Sequence, residues 1–252
     1  MVDPIVLIAF GAKNEAITLP AFLEQIDGLD YPEDRLRYAA VTADSDDDTV
    51  DIILEWLKGK KDAYWRHFTP DLPLRRRMFT STNYIRHYFT AVLPNVEPAE
   101  FMFQCDADVV GIPPETLRTL IELDVDIVAP YIYVSQEQHI MNQFRGKKVF
   151  RDVWGYRFKY GPYPGLQFNS SVPEYYKRNM DSNKSIKADL DKRLIPMISV
   201  GANPILVKRR VLESMPWYDG LYATPGWCME ADKAGFGVWA YPDLECIHDW
   251  RR

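Results

Sequence analysis

Phe101-Met102-Phe103-Gln104-Cys105-Asp106-Ala107-Asp108-Val109-Val110 is the stretch on which the fold turns. Its first five residues read as a short strand buried on both faces. Two carboxylates follow, one residue apart. On an extended backbone, positions i and i+2 share a side, so Asp106 and Asp108 are expected to project together from the strand's C-terminal end. Carboxylates that close repel unless a positive charge sits between them. A hard divalent ion answers this, since Mg²⁺ or Mn²⁺ takes oxygen ligands and keeps some of its waters. A solvated turn would also place Asp at a strand end, so the surrounding segments carry the argument.

Working outward, Pro4 to Phe10 is a continuous apolar run, the pattern of a parallel strand covered on both sides. It ends in the polar turn Gly11-Ala12-Lys13-Asn14-Glu15. A helix is predicted next, with Thr18 as N-cap, Pro20 in its first turn and Leu19, Phe22, Leu23 and Ile26 along one face. Tyr38 to Thr42 is a second strand, ending in the acidic run Asp44-Ser45-Asp46-Asp47-Asp48. The helix after it carries Val50, Ile53, Leu54 and Leu57. A basic helix from Arg75 to about Val92 then leads into the strand of the two aspartates. Strand and helix alternate, and polar residues close every strand. In open α/β sheets, ligands bind beyond the carboxyl ends of the strands. Glu15, Asp44 and Asp106/Asp108 therefore form one constellation.

Beyond it, Pro113-Pro114 opens a short helix (116–123), and Asp126 to Tyr131 is a further strand. Residues 135–195 mix Trp154, Tyr156, Phe158, Tyr160 and Tyr163 with polar groups, a composition suited to a binding surface or to a packed hairpin insertion. Ile198 to Val207 predicts a strand pair, with a helix from Arg209 to Met215. The chain closes with a helix from Trp227 to Ala234, Gly235 as its C-cap, a strand Val238 to Tyr241 and Cys246-Ile247-His248.

A chain of 252 residues with 47% hydrophobic content supports one substantial core, and no linker or internal repeat divides it. The expected organisation is a single α/β domain with a mostly parallel central sheet flanked by helices. Residues 1–110 and 111–252 are expected to form its two halves. A net charge of −6 argues against a surface built to hold nucleic acid. Cys105, Cys228 and Cys246 lack disulfide or metal spacing and read as reduced core residues. With no signal-like leader and no long apolar run, a cytoplasmic protein without a membrane span is the expectation.

Four strings, in this order, resemble the GT-A glycosyltransferases. They are LIAFGAKNEAITLPAFLEQIDGLDYPEDRLRYAAVTADSDDDTV (7–50), FQCDADVVGIPPETL (103–117), ISVGANPILVKRRVLESM (198–215) and AGFGVWAYPDLECIH (234–248). Several resemble the fungal Golgi mannan-polymerase type of α-mannosyltransferase, and most are shared with the large inverting family. The resemblance implies a single GT-A domain that uses Mn²⁺ or Mg²⁺ and a UDP- or GDP-sugar donor. The acceptor would be a glycan or another hydroxyl, with modified nucleic acid as a minority possibility. It implies metal ligation by Asp106, Asp108 and His248. Ala9, Glu15, Asp44, Arg77 (or its neighbours Arg75 and Arg76), Asn83 and Asp106 would line the nucleotide pocket.

The match departs at the catalytic carboxylate. Ala223 and Thr224 stand where the inverting family has a Glu-Asp pair. Either Glu230 or Asp219 serves as base, or the enzyme retains configuration, which the mannan-polymerase resemblance favours slightly. Two other functions fit parts of the pattern. Asp106-Ala107-Asp108-Val109-Val110 also matches the nucleophile motif of haloacid-dehalogenase-like phosphatases, but Asp124 and Asp126 follow too soon to supply that family's further acidic pair. A GT-A domain that binds a nucleotide or glycan without transfer is the other, favoured by the missing pair and opposed by the filled metal positions.

Overall fold

The structure is a computed structural model and describes residues 2–68, 83–93, 98–134, 149–150, 157–158, 194–201, 204–215 and 223–248. In chain order its elements are β1 (Val6–Ala12), α1 (Leu19–Asp27), β2 (Leu36–Thr42), α2 (Thr49–Leu57), β3 (Ala63–His67) and α3 (83–92). Then come β4 (Phe101–Asp106), β5 (Val109–Gly111), α4 (Thr116–Glu122), β6 (Ile127–Val134), β7 (Val149–Phe150) and β8 (Arg157–Phe158). The remainder is β9 (Ile195–Ser199), β10 (Ile205–Lys208), α5 (Arg209–Ser214), α6 (Ala223–Lys233) and β11 (Val238–His248).

These strands form one sheet in the order β3-β2-β1-β4-β10-β6-β11-β9-β8, with β5 on β11 and β7 on β6. β1 to β4 are mutually parallel, as are β6 and β11. β10 runs antiparallel between β4 and β6, so the two parallel blocks share one direction. All their carboxyl ends therefore lie along one edge. Successive residues of β1 face opposite cores: Val6, Ile8 and Phe10 pack with α1, α2 and α4, while Leu7 and Ala9 pack with α3, α5 and α6. Every residue of β2 is buried, as a central parallel strand requires.

The predicted stripe of α1 is buried at all four positions. In α2, Ile53 and Leu57 are buried, but Leu54 is 37% exposed and Thr49 takes a buried place instead. β3 was not anticipated, because an edge strand reading Ala-Tyr-Trp-Arg-His has no apolar run to mark it. The described part of the basic helix begins at residue 83 and widens to a π-turn over Tyr88–Val92. β9 and β10 are both strands but do not pair with each other. The closing strand is far longer than predicted. It runs unbroken to His248, with an irregularity between Tyr241 and Glu245 that absorbs Pro242-Asp243-Leu244. Gly235 takes φ +92°, the left-handed cap expected of it.

Candidate active site

Pairing of Ala12 with Thr42 and of Gly11 with Asp106 brings the first, second and fourth strand tips level. The loops beyond β1 and β2 are tied together. Asn14, at φ 54°, accepts from the Asp46 amide through Oδ1 (2.8 Å), and its own amide donates to Ser45 Oγ (3.2 Å). The Glu15 amide donates to Thr49 Oγ1 (2.8 Å) and the Ala16 amide to Asp47 Oδ2 (3.1 Å). Asp47 also accepts from the Thr49 amide and hydroxyl at 3.1 and 2.5 Å. Partial burial pulls the Asp47 carboxyl up, but the bonds from Thr49 and Ala16 outweigh it and hold it below the usual carboxylate range. The acidic run is thus a clasp between two loops as well as a helix start.

Asp44 stands at this edge, half-buried, with Lys13 Nζ 3.2 Å from its Oδ1. Glu15 Oε2 accepts from the Thr18 hydroxyl at 3.0 Å, so Thr18 stands at the N-cap position of α1 without a side-chain bond to the helix amides. Ala9 does not line a pocket. It is fully buried in the α3-side core, three residues before the strand end, and Gly11 stands nearer the edge.

The two aspartates are held differently from the expectation. Asp106 closes β4, whereas Asp108 lies in the turn before β5, so they do not share one extended backbone. β5 pairs with the end of β11, Gly111 opposite Ile247 and Val109 opposite His248. Two steps on β5 for one on β11 make a bulge at Val110, a device that re-aims side chains. It brings His248 Nε2 to 3.0 Å from Asp108 Oδ1, with the imidazole 1% exposed. That oxygen is buried and accepts no hydrogen bond, so the two groups meet as neighbours and not as donor and acceptor. At that separation both groups would be within reach of one divalent ion. The carboxylate suits Mn²⁺ or Mg²⁺, whereas the imidazole suits a transition ion, so the pair would fit Mn²⁺ better than Mg²⁺.

Among the described residues, no group of three His, Cys, Asp or Glu side chains could hold a metal. The structure therefore joins Asp108 to His248 and does not gather Asp106 with them. Below the pair, Cys105 and Cys246 are buried. Desolvation, and for Cys105 the nearby Asp106 charge, push both thiols up, so neither offers a thiolate.

Arg75, Arg76, Arg77 and Asp219 lie outside the described residues. Asn83 opens α3 in a half-buried position. Glu230 is on α6, where its carboxylate takes Lys233 Nζ at 2.6 Å. Sequence reasoning missed Lys13, although it adjoins the Asn-Glu turn. It also missed His67, whose Nδ1 lies 3.1 Å from Thr42 Oγ1 at the neighbouring strand tip, because β3 itself was unread.

Comparison with solved structures supports the architecture. The mannosyltransferase PcManGT from Pyrobaculum calidifontis, in complex with GDP-Man and Mn²⁺, matches over 98% of this chain and 57% of its own, with TM-score 0.61 at 16% identity. S. aureus TarS 1-349 in complex with UDP-GlcNAc matches over 98% of this chain and 59% of its own, with TM-score 0.55 at 13% identity. The fold is that of the GT-A glycosyltransferases. A glycosyltransferase 25 family member of Drosophila pseudoobscura pseudoobscura is 33% identical over 142 residues, 51% of this chain. The human procollagen galactosyltransferase 2 is 30% identical over 144 residues, 52% of this chain. The chain spans 23% of the length of each of these two relatives. The family indicated is not the fungal mannan-polymerase type that several strings resemble. The pattern of the "Glycosyltransferase family 25, N-terminal domain" matches residues 3–144, more than half of the chain, and the chain belongs to that family.

Proposed function

We propose that this protein transfers a sugar from a nucleotide-diphosphate donor to a hydroxyl acceptor. The observation that carries this is the Asp108–His248 pair, set on the same sheet edge as Asp44. Asp108 and His248 would hold Mn²⁺ or Mg²⁺, with Asp106 acting through water. The ion, when bound, neutralises charge on the departing diphosphate. Asp44 accepts hydrogen bonds from the nucleoside, and Lys13 fixes its carboxylate for that task. The bulge and the buried imidazole hold the pair rigid, so little reorganisation is needed when the donor arrives.

Relatives named procollagen galactosyltransferase make a galactosyl donor the first to test, with a mannosyl donor second. The test is a thermal-shift and transfer screen of UDP-galactose, UDP-GlcNAc and GDP-mannose, each with and without Mn²⁺. One donor should raise the melting temperature only with metal, by mass action on the native state. Asp108→Asn should abolish that rise. A donor that stabilises the protein equally without metal would refute metal-assisted binding, and binding without transfer would favour the non-catalytic alternative. The course of transfer, favoured as retaining from the sequence, is decided by anomeric assignment of the product. An inverted product would call for a carboxylate base other than Glu230, which is engaged by Lys233.

A further inference from the structure

Arg86 is the most unusual charge in the described structure. It sits on α3 and is only 6% exposed. No carboxylate or hydrogen-bond acceptor is paired with its guanidinium among the described residues, and its Nε is buried without a hydrogen-bond partner. Its one close companion is the indole of Trp227, on α6, with the guanidinium carbon 4.4 Å from the ring centroid. Trp227 is itself 1% exposed. The adjacent Cys228 directs its thiol to the Val200 carbonyl at 3.9 Å.

Two other arginines meet oxygen partners, although Arg37 Nε and Arg209 Nη2 are likewise buried without a hydrogen-bond partner. Arg37, fully buried, meets Asp62 at 3.0 Å and two backbone carbonyls. Arg209 donates to the Ala99 carbonyl and pairs with Glu213. Taking a charge out of water is costly unless it is paired. Burial pulls the Arg86 guanidinium down to about 10, the thiol of Cys228 opposing it weakly, so it is still a cation at neutral pH. A cation–π contact supplies only part of what a lost hydration shell requires, and no counter-ion stands beside it among the described residues.

Its position points toward the substrate edge. Tyr88 stacks on Tyr64 and donates to the Asp62 carbonyl at the start of β3. One turn earlier, Tyr84 packs on Arg66 and Phe68 at the end of β3. So α3 runs against the sheet, and its first turn lies at the carboxyl edge. Side chains on a helix lean toward its N-terminus. Arg86 lies two residues from each of Tyr84 and Tyr88, on the opposite face of α3 toward Trp227, and leans toward the same N-terminal end of the helix.

We propose that Arg86, backed by Trp227, receives an oxyanion of a substrate, a phosphate or a carboxylate, between α3 and α6. The planar guanidinium can grip such a group through two parallel N–H donors while its face rests on the indole. A phosphate would come from the nucleotide donor, and a carboxylate from an acidic acceptor. The proposal adds an anion-binding residue to the sugar-transfer reading and does not depend on the metal pair.

The test uses metal-free protein with inorganic pyrophosphate and with glucuronate as probes, read by calorimetry and tryptophan fluorescence. Wild-type protein should bind one of them. Arg86→Met should weaken that probe about tenfold or more, equivalent to about 1.4 kcal/mol. Its melting temperature should hold or rise, because a buried charge with no counter-ion among the described residues has been replaced by an apolar chain of similar length. Arg86→Lys keeps the charge but loses the fork, so it should also bind more weakly, and it serves should the Met variant fail to fold. Binding in the absence of any divalent ion separates this site from the metal pair. Pyrophosphate binding lost in the Arg86 variants assigns the site to a phosphate, and glucuronate binding lost there assigns it to a carboxylate. If neither probe binds wild type, or if Arg86→Met binds as wild type does, the proposal is overturned. A lower melting temperature with unchanged affinity would make Arg86 a clamp between two helices.

Discussion

Replacing Gly111 with alanine should uncouple His248 from Asp108 without touching either. A Cβ on Gly111 would lie 2.6 Å from Ile247 Cβ, 2.8 Å from its Cγ1 and 3.1 Å from its Cδ1. Non-bonded carbons rest at about 3.5–4.0 Å, so β5 and β11 would have to part by roughly 1 Å. Ile247 is the residue before His248, and Gly111 is its partner in the register. The separation therefore falls on the step that sets His248 against Asp108. Overpacking of this kind costs about 1–3 kcal/mol, or roughly 2–12 °C in melting temperature for a chain of this size. The functional loss should be larger. A 1 Å displacement of a positioned group costs about 10²-fold in rate, and a pair now 3.0 Å apart would no longer fit one ion. Sugar transfer at saturating donor, Mn²⁺ affinity and thermal unfolding are measured together. Ile247 is 42% exposed, so Ile247→Gly is tolerable alone and should restore both readouts in the double variant. Wild-type activity and stability in Gly111→Ala would refute the reasoning, as would a double variant no better than the single.

Three other variants probe the rest of the site. Asp47→Ala should cost about 1–2 kcal/mol by releasing the Thr49 and Ala16 donors. Because the Asp47 carboxyl is held low when folded, its contribution is present above the unfolded value and fades as pH falls, so the gap to wild type in urea unfolding should narrow below about pH 4. Lys13→Met should raise the donor's KM several-fold with little change in kcat, since it frees Asp44 without altering the metal pair. An unchanged KM would remove Lys13 from the nucleotide site. Glu230→Gln should keep near-normal turnover, because that carboxylate is engaged by Lys233 on the helix surface; a loss beyond tenfold would return Glu230 to the role of base.

How far the sequence revealed this arrangement depended on the range of the forces involved. The buried parallel strands were readable because covering both faces leaves an unbroken apolar run, as in Val6 to Phe10. α1 was readable because Leu19, Phe22, Leu23 and Ile26 repeat at helical spacing. Edge strand β3 escaped because one exposed side leaves no pattern to detect. The polar edge was located correctly, since a parallel sheet must end its strands in solvent-facing loops and the residues there are free to be acidic.

What each acidic residue does there was harder, because it is decided by partners distant in sequence. Asp47 looks like a helix-start residue until the Ala16 amide, on another loop, is seen to donate to it. His248 illustrates the limit most sharply. Family resemblance named it as a ligand, but its distance from Asp108 follows from a bulge at Val110 and from a glycine at 111 that lets Ile247 approach. Neither feature has a local signature, since Val-Val-Gly reads equally well as a plain strand end. The proposed metal pair is therefore a property of how two strands meet. The D-x-D spacing that first suggested it supplies Asp108, while the backbone that aligns its partner comes from the far end of the chain. A side chain added at Gly111 should consequently alter metal binding as strongly as substitutions at many residues nearer the substrate.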